Sequence, residues 1–540
     1  LLIQELHEEC ACYRSCSANN ELKWLWDCAK RHLLKSEGRP VKGANEWGER
    51  WREEEWKTEQ NAKRTFTSAT HSRKPTQLLP PTLKMAAPFM EKLAEYLDSP
   101  EPAVRLILSV LLGYPFALVY RWLFFHQSTT VIHLFHTFSG LALAIFNFVL
   151  AAKVDGKDGH VCSDKLYLSD GLSLDYYDGG KDPTKLSGDQ KKSALTSTPS
   201  LLEVFGFSYY YGGFLVGPQF TLRSYQKLVS KEMSDVPGMP PNSVLPALKR
   251  FCLGLVALAI FTIGGPRYPD SYYLTDEFEA QPFWYRCVYI LLWVKINLYK
   301  YISCWLITEG VCILSGLGYN DKNENGEHQW DSCANVRVWL FETTPLFTGT
   351  INSFNIITNN WVAKHVFKRL RFLGNKLVSQ MFTLLFLAIW HGLHSGYLIC
   401  FSMEFLIVNV EKQTQSLVRD SPLLTAITQS PLYPLLYVVQ QTIHWLFMGY
   451  SLVPFCLFTY DKWLKVCFST SGVYYSVYFC GHIFFLAALL VLPYLRKVLV
   501  PRKRGTPVSS HFFPRAPVTF LLSVSRHTRN HVCLRPSALD

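Results

Sequence analysis

An all-α fold, a polytopic bundle of transmembrane helices, is predicted for this chain of 540 residues by three observations. Apolar residues make up 49% of the sequence, yet the mean hydropathy is close to zero, because the apolar residues are gathered into long runs between polar tails. Several runs reach the roughly 20 residues that an α-helix needs to cross a bilayer. Aromatic residues at run ends, such as Trp284 and Tyr460, with Tyr299, Trp305 and Trp445 read in the same way, suit an interface where a ring can be apolar on one side and wet on the other.

Taken in order, the chain opens with residues 1–84, which contain no Met and no helical or strand period. They are read as a non-native or disordered leader, with translation starting at Met85. The spanning runs follow: Leu106 to Phe125, Val131 to Ala152, Phe251 to Gly265, Phe283 to Leu317, Met381 to Val410, Leu432 to Thr459 and Val473 to Leu495. The longest of these can hold one tilted helix or two shorter ones, so about eight to ten crossings are expected. Residues 85–503 form the membrane domain, and the Pro-containing segment 504–540 is read as a disordered or alternative tail.

The formal net charge of +12 comes from Lys and Arg in the tails and in short loops such as Lys364 to Lys376, a pattern that marks the cytosolic side of a membrane protein. The fifteen Cys residues show no zinc-ligand spacing, and Cys252, Cys304, Cys312, Cys400 and Cys456 lie inside apolar runs, where a thiol behaves as a small hydrophobe. Neither a metal nor a disulfide framework is expected.

The loops carry more information. Leu174 to Asp182 and Thr184 to Thr198 are too polar for hydrocarbon and must lie at an aqueous face or within protein. Leu201 to Phe220 mixes Gly206, Gly212, Gly213, Gly217 and Pro218 with three consecutive tyrosines. A broken segment lining a cavity and an amphipathic helix at the interface both fit it.

Two polar residues stand out within or beside the apolar runs. His391 lies in Trp390-His391-Gly392-Leu393-His394-Ser395-Gly396-Tyr397, midway along the run from Met381 to Val410. Hydrocarbon offers an imidazole neither water nor a partner, so a functional role is the default reading, against that of a helix-packing imidazole bonded to a carbonyl. Asn355 is the second, because a carboxamide supplies hydrogen bonds while staying neutral. Asn352, Asn359 and Asn360 compete with it.

Trp390-His391-Gly-x-x-x-Gly396-Tyr397 resembles the central motif of the membrane-bound O-acyltransferases that act on lysophospholipids. Trp330-Asp331 is similar to the first motif of that branch, Tyr450 to Phe455 to its third, and Tyr474-x-x-x-Tyr478-Phe479-x-x-His482 to its fourth. Asn355 followed by Trp361 resembles the family's catalytic Asn segment, and this singles out Asn355 among the asparagines. Residues 149–173 depart from the family, which carries further spanning sequence there; at least one crossing is expected to be missing.

The resemblance implies transfer of a fatty acyl group, polyunsaturated by preference, from acyl-CoA to the sn-2 hydroxyl of lysophosphatidylcholine and related lysophospholipids in the endoplasmic reticulum membrane. It implies His391 as the proton acceptor and Asn355 as the group that holds the hydroxyl or the developing oxyanion. Trp390, Tyr397, Trp330, Asp331, Tyr450, Tyr474, Tyr478 and His482 are the substrate-site candidates, though an aromatic belt would also place the tyrosines, and solvated loop charge would explain Asp331. Lys364, Lys368 and Arg371 fall on one face if their segment is α-helical, a stripe suited to the phosphates of coenzyme A and equally to the positive-inside rule. Acyl-CoA is expected as a co-substrate with no bound cofactor. The expected partners are a lysophospholipid and the bilayer, with no nucleic acid and a homodimer left open. Two alternatives stand beside this: a family member with a sterol, diacylglycerol or peptide acceptor, and an inactive variant of the same fold.

Overall fold

The computed structural model describes residues 81–96, 101–149, 162–467 and 477–500. Its first half runs α1 (Pro81–Tyr96), α2 (Glu101–Val119), α3 (Thr129–Ala144), α4 (Cys162–Gly179), α5 (Gly188–Ser193), α6 (Leu201–Ser208), α7 (Leu222–Val229), α8 (Val244–Gly264), α9 (Asp276–Ala280) and α10 (Phe283–Ser315). The second half adds α11 (Val338–Thr343), α12 (Phe347–Ser353), α13 (Ile356–Val362), α14 (Lys376–His391), α15 (Ser395–Asp420), α16 (Pro422–Thr428), α17 (Tyr433–Leu457), α18 (Tyr460–Cys467) and α19 (Val477–Leu499). Among the described residues no strand forms, only the isolated bridges Lys322–His328 and Val336–Phe354. The fold is all-α, as predicted.

Among the described residues, five segments are long and apolar enough to cross a membrane: Glu101–Phe124, Thr129–Asn147, Val244–Leu274, Phe283–Ser315 and Gly481–Leu499. This is fewer than the eight to ten expected, and the central run explains part of the difference. Met381 to Val410 is not one helix but two, α14 and α15, separated at Gly392. Gly392 has φ 132° and ψ 163°, a region essentially restricted to glycine. The 16 residues of α14 span about 24 Å, short of the roughly 30 Å of hydrocarbon. The 26-residue α15 carries Glu404, Glu411 and Lys412 among its apolar residues.

The 33-residue α10 is the backbone of the bundle. Its N-terminal half, with Ile290, Trp293 and Val294, and Ile302 just past its middle pack in one core with Met403 and Ile407 of α15 and Trp445, Met448 and Val453 of α17. Its C-terminal half, with Val311, Cys312 and Ile313, joins a second core with Ala117, Ile132, Phe207, Tyr210, Leu222 and Tyr225. Gly316, at φ 107°, ends the helix, as a left-handed glycine commonly does. Leu201 to Phe220 resolves into the short helix α6, opened by a capping box of Ser200 and Glu203, followed by turns in which Tyr210 and Tyr211 are buried. The segment is thus broken rather than one continuous amphipathic helix.

Candidate active site

The break at Gly392 places His391 at the last residue of α14 rather than midway along a helix. The two helix ends are fixed to the rest of the bundle through α17. Gly396 comes so close to that helix that an added Cβ would lie 2.1 Å from the Pro454 carbonyl oxygen. Its N–H donates to the carbonyl of Phe458 at 3.1 Å. Phe458 itself sits at φ 56° and ψ −66°, a strained conformation for a residue other than glycine that costs about 1–3 kcal/mol. Trp463 closes the corner by donating its indole N–H to Ser395 Oγ at 2.9 Å.

Within this corner the His391 ring lies 5.0 Å from Trp390, 5.2 Å from Phe455, 5.5 Å from Tyr397 and 5.5 Å from Phe401, measured between ring centroids. The imidazole is half-buried, and neither ring nitrogen makes a hydrogen bond among the described residues. Among the described residues it is therefore held by its faces and edge, with its nitrogens uncommitted. The reading of His391 as an imidazole bonded to a backbone carbonyl does not describe it. His394 packs on Tyr397 and Phe458.

Tyr450 and His482 meet on the neighbouring helices, with Tyr450 Oη 2.6 Å from His482 Nδ1. The third motif thus touches both the central and the fourth, its Phe455 packing on His391 and its Tyr450 on His482. Tyr474 lies outside the described residues, as does the side chain of Tyr478. Trp330 and Asp331 are not brought to His391. Trp330 packs on Tyr319 at 5.3 Å, while Asp331 is exposed and accepts from Asn320 Nδ2 at 2.8 Å.

Asn355 opens α13 in the left-handed conformation, φ 51° and ψ 44°, which asparagine tolerates better than most residues. The support comes from Asn335, a residue the sequence did not distinguish from the rest of its polar loop. Asn335 is buried; its carbonyl accepts from Ile356 N at 3.1 Å, its Oδ1 accepts from Ile357 N at 3.0 Å, and its Nδ2 reaches Asn355 Oδ1 at 3.5 Å. It satisfies N–H groups that a helix start leaves orphaned. Asn359 is occupied otherwise: its Nδ2 donates to the carbonyls of Ile351 and Phe354 at 2.8 and 3.0 Å.

The elements on both sides of Asn355 reach the helices that flank His391. Before it, α12 is anchored on α15 by Glu411, whose carboxylate accepts from Phe347 N at 2.6 Å, Thr348 N at 3.1 Å and the Thr348 hydroxyl. After it, the π turn Ala363–Phe367 packs against α14. Thr350, on α12, is also tied to His444 of α17, Oγ1 to Nε2 at 2.9 Å.

The single cationic stripe expected over residues 364–371 does not form. The segment passes through that π turn and then a 3₁₀ turn, Arg369–Leu373, so a 3.6-residue period does not align its charges. Lys364 is buried with Asp175 Oδ1 at 2.6 Å and Ser193 Oγ; Lys368 meets Asp189 Oδ2 at 2.5 Å; Arg369 meets Asp178 Oδ2 at 2.7 Å. Arg371 is exposed. The polar segment Leu174 to Thr198 thus lies partly within protein, its carboxylates neutralising these cations. Burial pushes the Asp175 carboxyl up, only partly offset by Lys364. At Asp178 burial acts in the same direction, but hydrogen bonds from Gln190 and the Arg369 guanidinium outweigh it and hold the carboxyl low.

His365, in the same cluster, is pushed down to about 3 from the usual 6.5, first by burial and then by Lys364 and Arg369. Between these values the unfolded imidazole binds a proton that the folded one does not, so stability falls as the pH drops through that window. Thermal unfolding in detergent should therefore shift to lower temperature between pH 7.5 and pH 5.5, and His365→Asn should flatten that slope. An unchanged slope in the variant excludes His365 as the source.

The family model for MBOAT, the membrane-bound O-acyltransferase family, matches residues 166–453, a range that holds the break at Gly392, Asn355 and the buried ion pairs. Lysophospholipid acyltransferase 5 of Mus musculus is 53% identical over 77% of this chain and 93% of its own length. The Homo sapiens protein of that name is 52% identical with the same coverage. The Drosophila melanogaster protein of that name is 34% identical over 70% of this chain and 85% of its own length. With an all-α membrane bundle, an uncommitted imidazole at a helix break and a matching family model, the chain belongs to the membrane-bound O-acyltransferase family.

Proposed function

We propose that this chain transfers a fatty acyl group from acyl-CoA to the sn-2 hydroxyl of a lysophospholipid, lysophosphatidylcholine among them, in the endoplasmic reticulum membrane. The observation that carries the reading is the imidazole of His391, fixed by aromatic rings at a helix break with neither nitrogen hydrogen-bonded among the described residues. An alcohol is a weak nucleophile and needs a positioned base. As the hydroxyl oxygen attacks the thioester carbonyl, its proton passes to His391. The tetrahedral centre then collapses with cleavage of the C–S bond, and the departing thiolate takes that proton from the His391 imidazolium.

Asn355 is assigned to the hydroxyl or the carbonyl oxygen, since a neutral amide stabilises charge that develops there without introducing a second charge. The aromatic wall of Trp390, Tyr397, Phe401 and Phe455 suits an apolar chain and excludes water that would hydrolyse the thioester. The names and coverage of the relatives support the lysophospholipid acceptor over a sterol, diacylglycerol or peptide. Lys364 and Lys368 are engaged by carboxylates, which leaves Arg371 as the candidate for a coenzyme A phosphate from the expected set.

Microsomes from cells expressing the full chain, given lysophosphatidylcholine and arachidonoyl-CoA, should form phosphatidylcholine above the background of vector-only microsomes. Replacement of the lysophospholipid by diacylglycerol or cholesterol should give none. Absence of product with lysophosphatidylcholine, in membranes that contain the inserted protein, rejects the proposal.

A further inference from the structure

Arg286 lies in the first turn of α10, and its residue surface is only 8% exposed. Among the described residues it makes no hydrogen bond, ion pair or ring contact, and its Nε is sealed from solvent without a partner. A guanidinium cannot shed its proton in a protein, and an uncompensated charge so placed is costly. Acidic residues precede it closely in sequence, but they do not pair with it. Asp270 accepts from the Trp293 indole, Glu277 from Tyr272 Oη at 3.4 Å, and Asp276 faces Lys465 at 3.5 Å. Glu279 keeps one carboxylate oxygen sealed and unpartnered.

The position of this residue in the membrane is equally informative. Phe283 and Trp284, three and two residues before it, are 55% and 66% exposed, an aromatic pair suited to the headgroup level of a bilayer. Helical side chains lean toward the N-terminus, so the Arg286 shaft runs from the apolar layer toward that level. The same turn presents the N-terminal peptide groups of a 33-residue helix, which favour an anion.

Depth relates this turn to the active site. Gly449 of α17 packs on Ile290 and Val294 of α10, and Trp445 receives the Lys295 ammonium over its ring at 3.9 Å. The two helices therefore run antiparallel, and continuing the register by one turn brings Arg286 level with Val453, two residues before the Phe455 that packs on His391.

We infer that Arg286 and the first turn of α10 form a binding site for the phosphodiester of a glycerophospholipid. A guanidinium donates in pairs to phosphate oxygens, and the aromatic pair beside it holds the glycerol and upper chain region. The phosphodiester belongs either to the lysophospholipid substrate, in which case the site rests on the proposed acyl transfer, or to a diacyl phospholipid that stays bound. The two sources give different results in one experiment on the full chain, purified in mild detergent as wild type, Arg286→Gln and Arg286→Lys.

Steady-state kinetics with lysophosphatidylcholine and native mass spectrometry of co-purified phospholipid are measured on all three proteins. A rise of at least fivefold in KM for the lysophospholipid in Arg286→Gln, with kcat kept and partial recovery in Arg286→Lys, identifies the substrate as the occupant. An unchanged KM with loss of the retained phospholipid in Arg286→Gln identifies a resident lipid. Unchanged KM and unchanged lipid retention overturn the inference. A wild type without turnover counts against the proposed function, while the mass-spectrometric comparison still decides the site.

Discussion

Replacement of His391 by Ala is expected to lower acyl transfer by roughly 10²–10⁴-fold, the range that a positioned general base contributes. The protein should remain inserted and folded, because the imidazole is half-buried and makes ring contacts but no hydrogen bond among the described residues. His391→Gln, which keeps polarity and similar bulk, should be as inactive as the Ala variant, since a carboxamide does not accept the proton. Initial rates in microsomes, normalised to inserted protein, check this. Turnover near wild type in either variant removes His391 from the chemistry.

Asn355→Ala is expected to cost about 10²–10³-fold in kcat, the loss seen when one donor to a developing oxyanion is removed. This substitution has a second effect, because Ala in a left-handed conformation costs about 1–2 kcal/mol, and the residue sits at φ 51°. Asn355→Gly separates the two. Glycine adopts the same backbone without strain but has no amide, so it should be as slow as Ala while unfolding at a temperature close to that of wild type. Recovery of activity in the Gly variant would mean that the side chain serves only the backbone.

The positions of the long helices were readable from the sequence, because runs such as Leu106 to Phe125 and Phe283 to Leu317 are apolar for longer than a buried soluble helix requires. The break at Gly392 was not readable, because Trp390, Leu393 and Tyr397 keep the hydropathy of the run intact across the glycine. Asn335 was hidden for a different reason. Its bond to Asn355 spans 20 positions, and nothing local separates it from Asn320 or Asn325 in the same loop. The basic residues show the limit most directly. Sequence reveals the charge of Lys364, but its carboxylate partner is 189 positions away, so one half of a buried ion pair reads as a cation available to a phosphate. The order of the motifs pointed to His391, yet only the packing of Phe401, Phe455 and Tyr397 shows how a histidine can be held without using either nitrogen.

The interruption at Gly392 also has an electrostatic consequence. The carbonyl-rich terminus of α14 and the amide-rich terminus of α15 lie within a few residues of each other, so their macrodipoles present opposite poles on either side of one gap. Proton transfer from an alcohol creates an imidazolium and an alkoxide-like oxygen at the same moment. If His391 accepts that proton, as proposed, the cation would form beside the negative pole, with the positive pole at Ser395 four residues along the chain. A continuous helix through this region would have neither pole, and its peptide groups would already be bonded to one another.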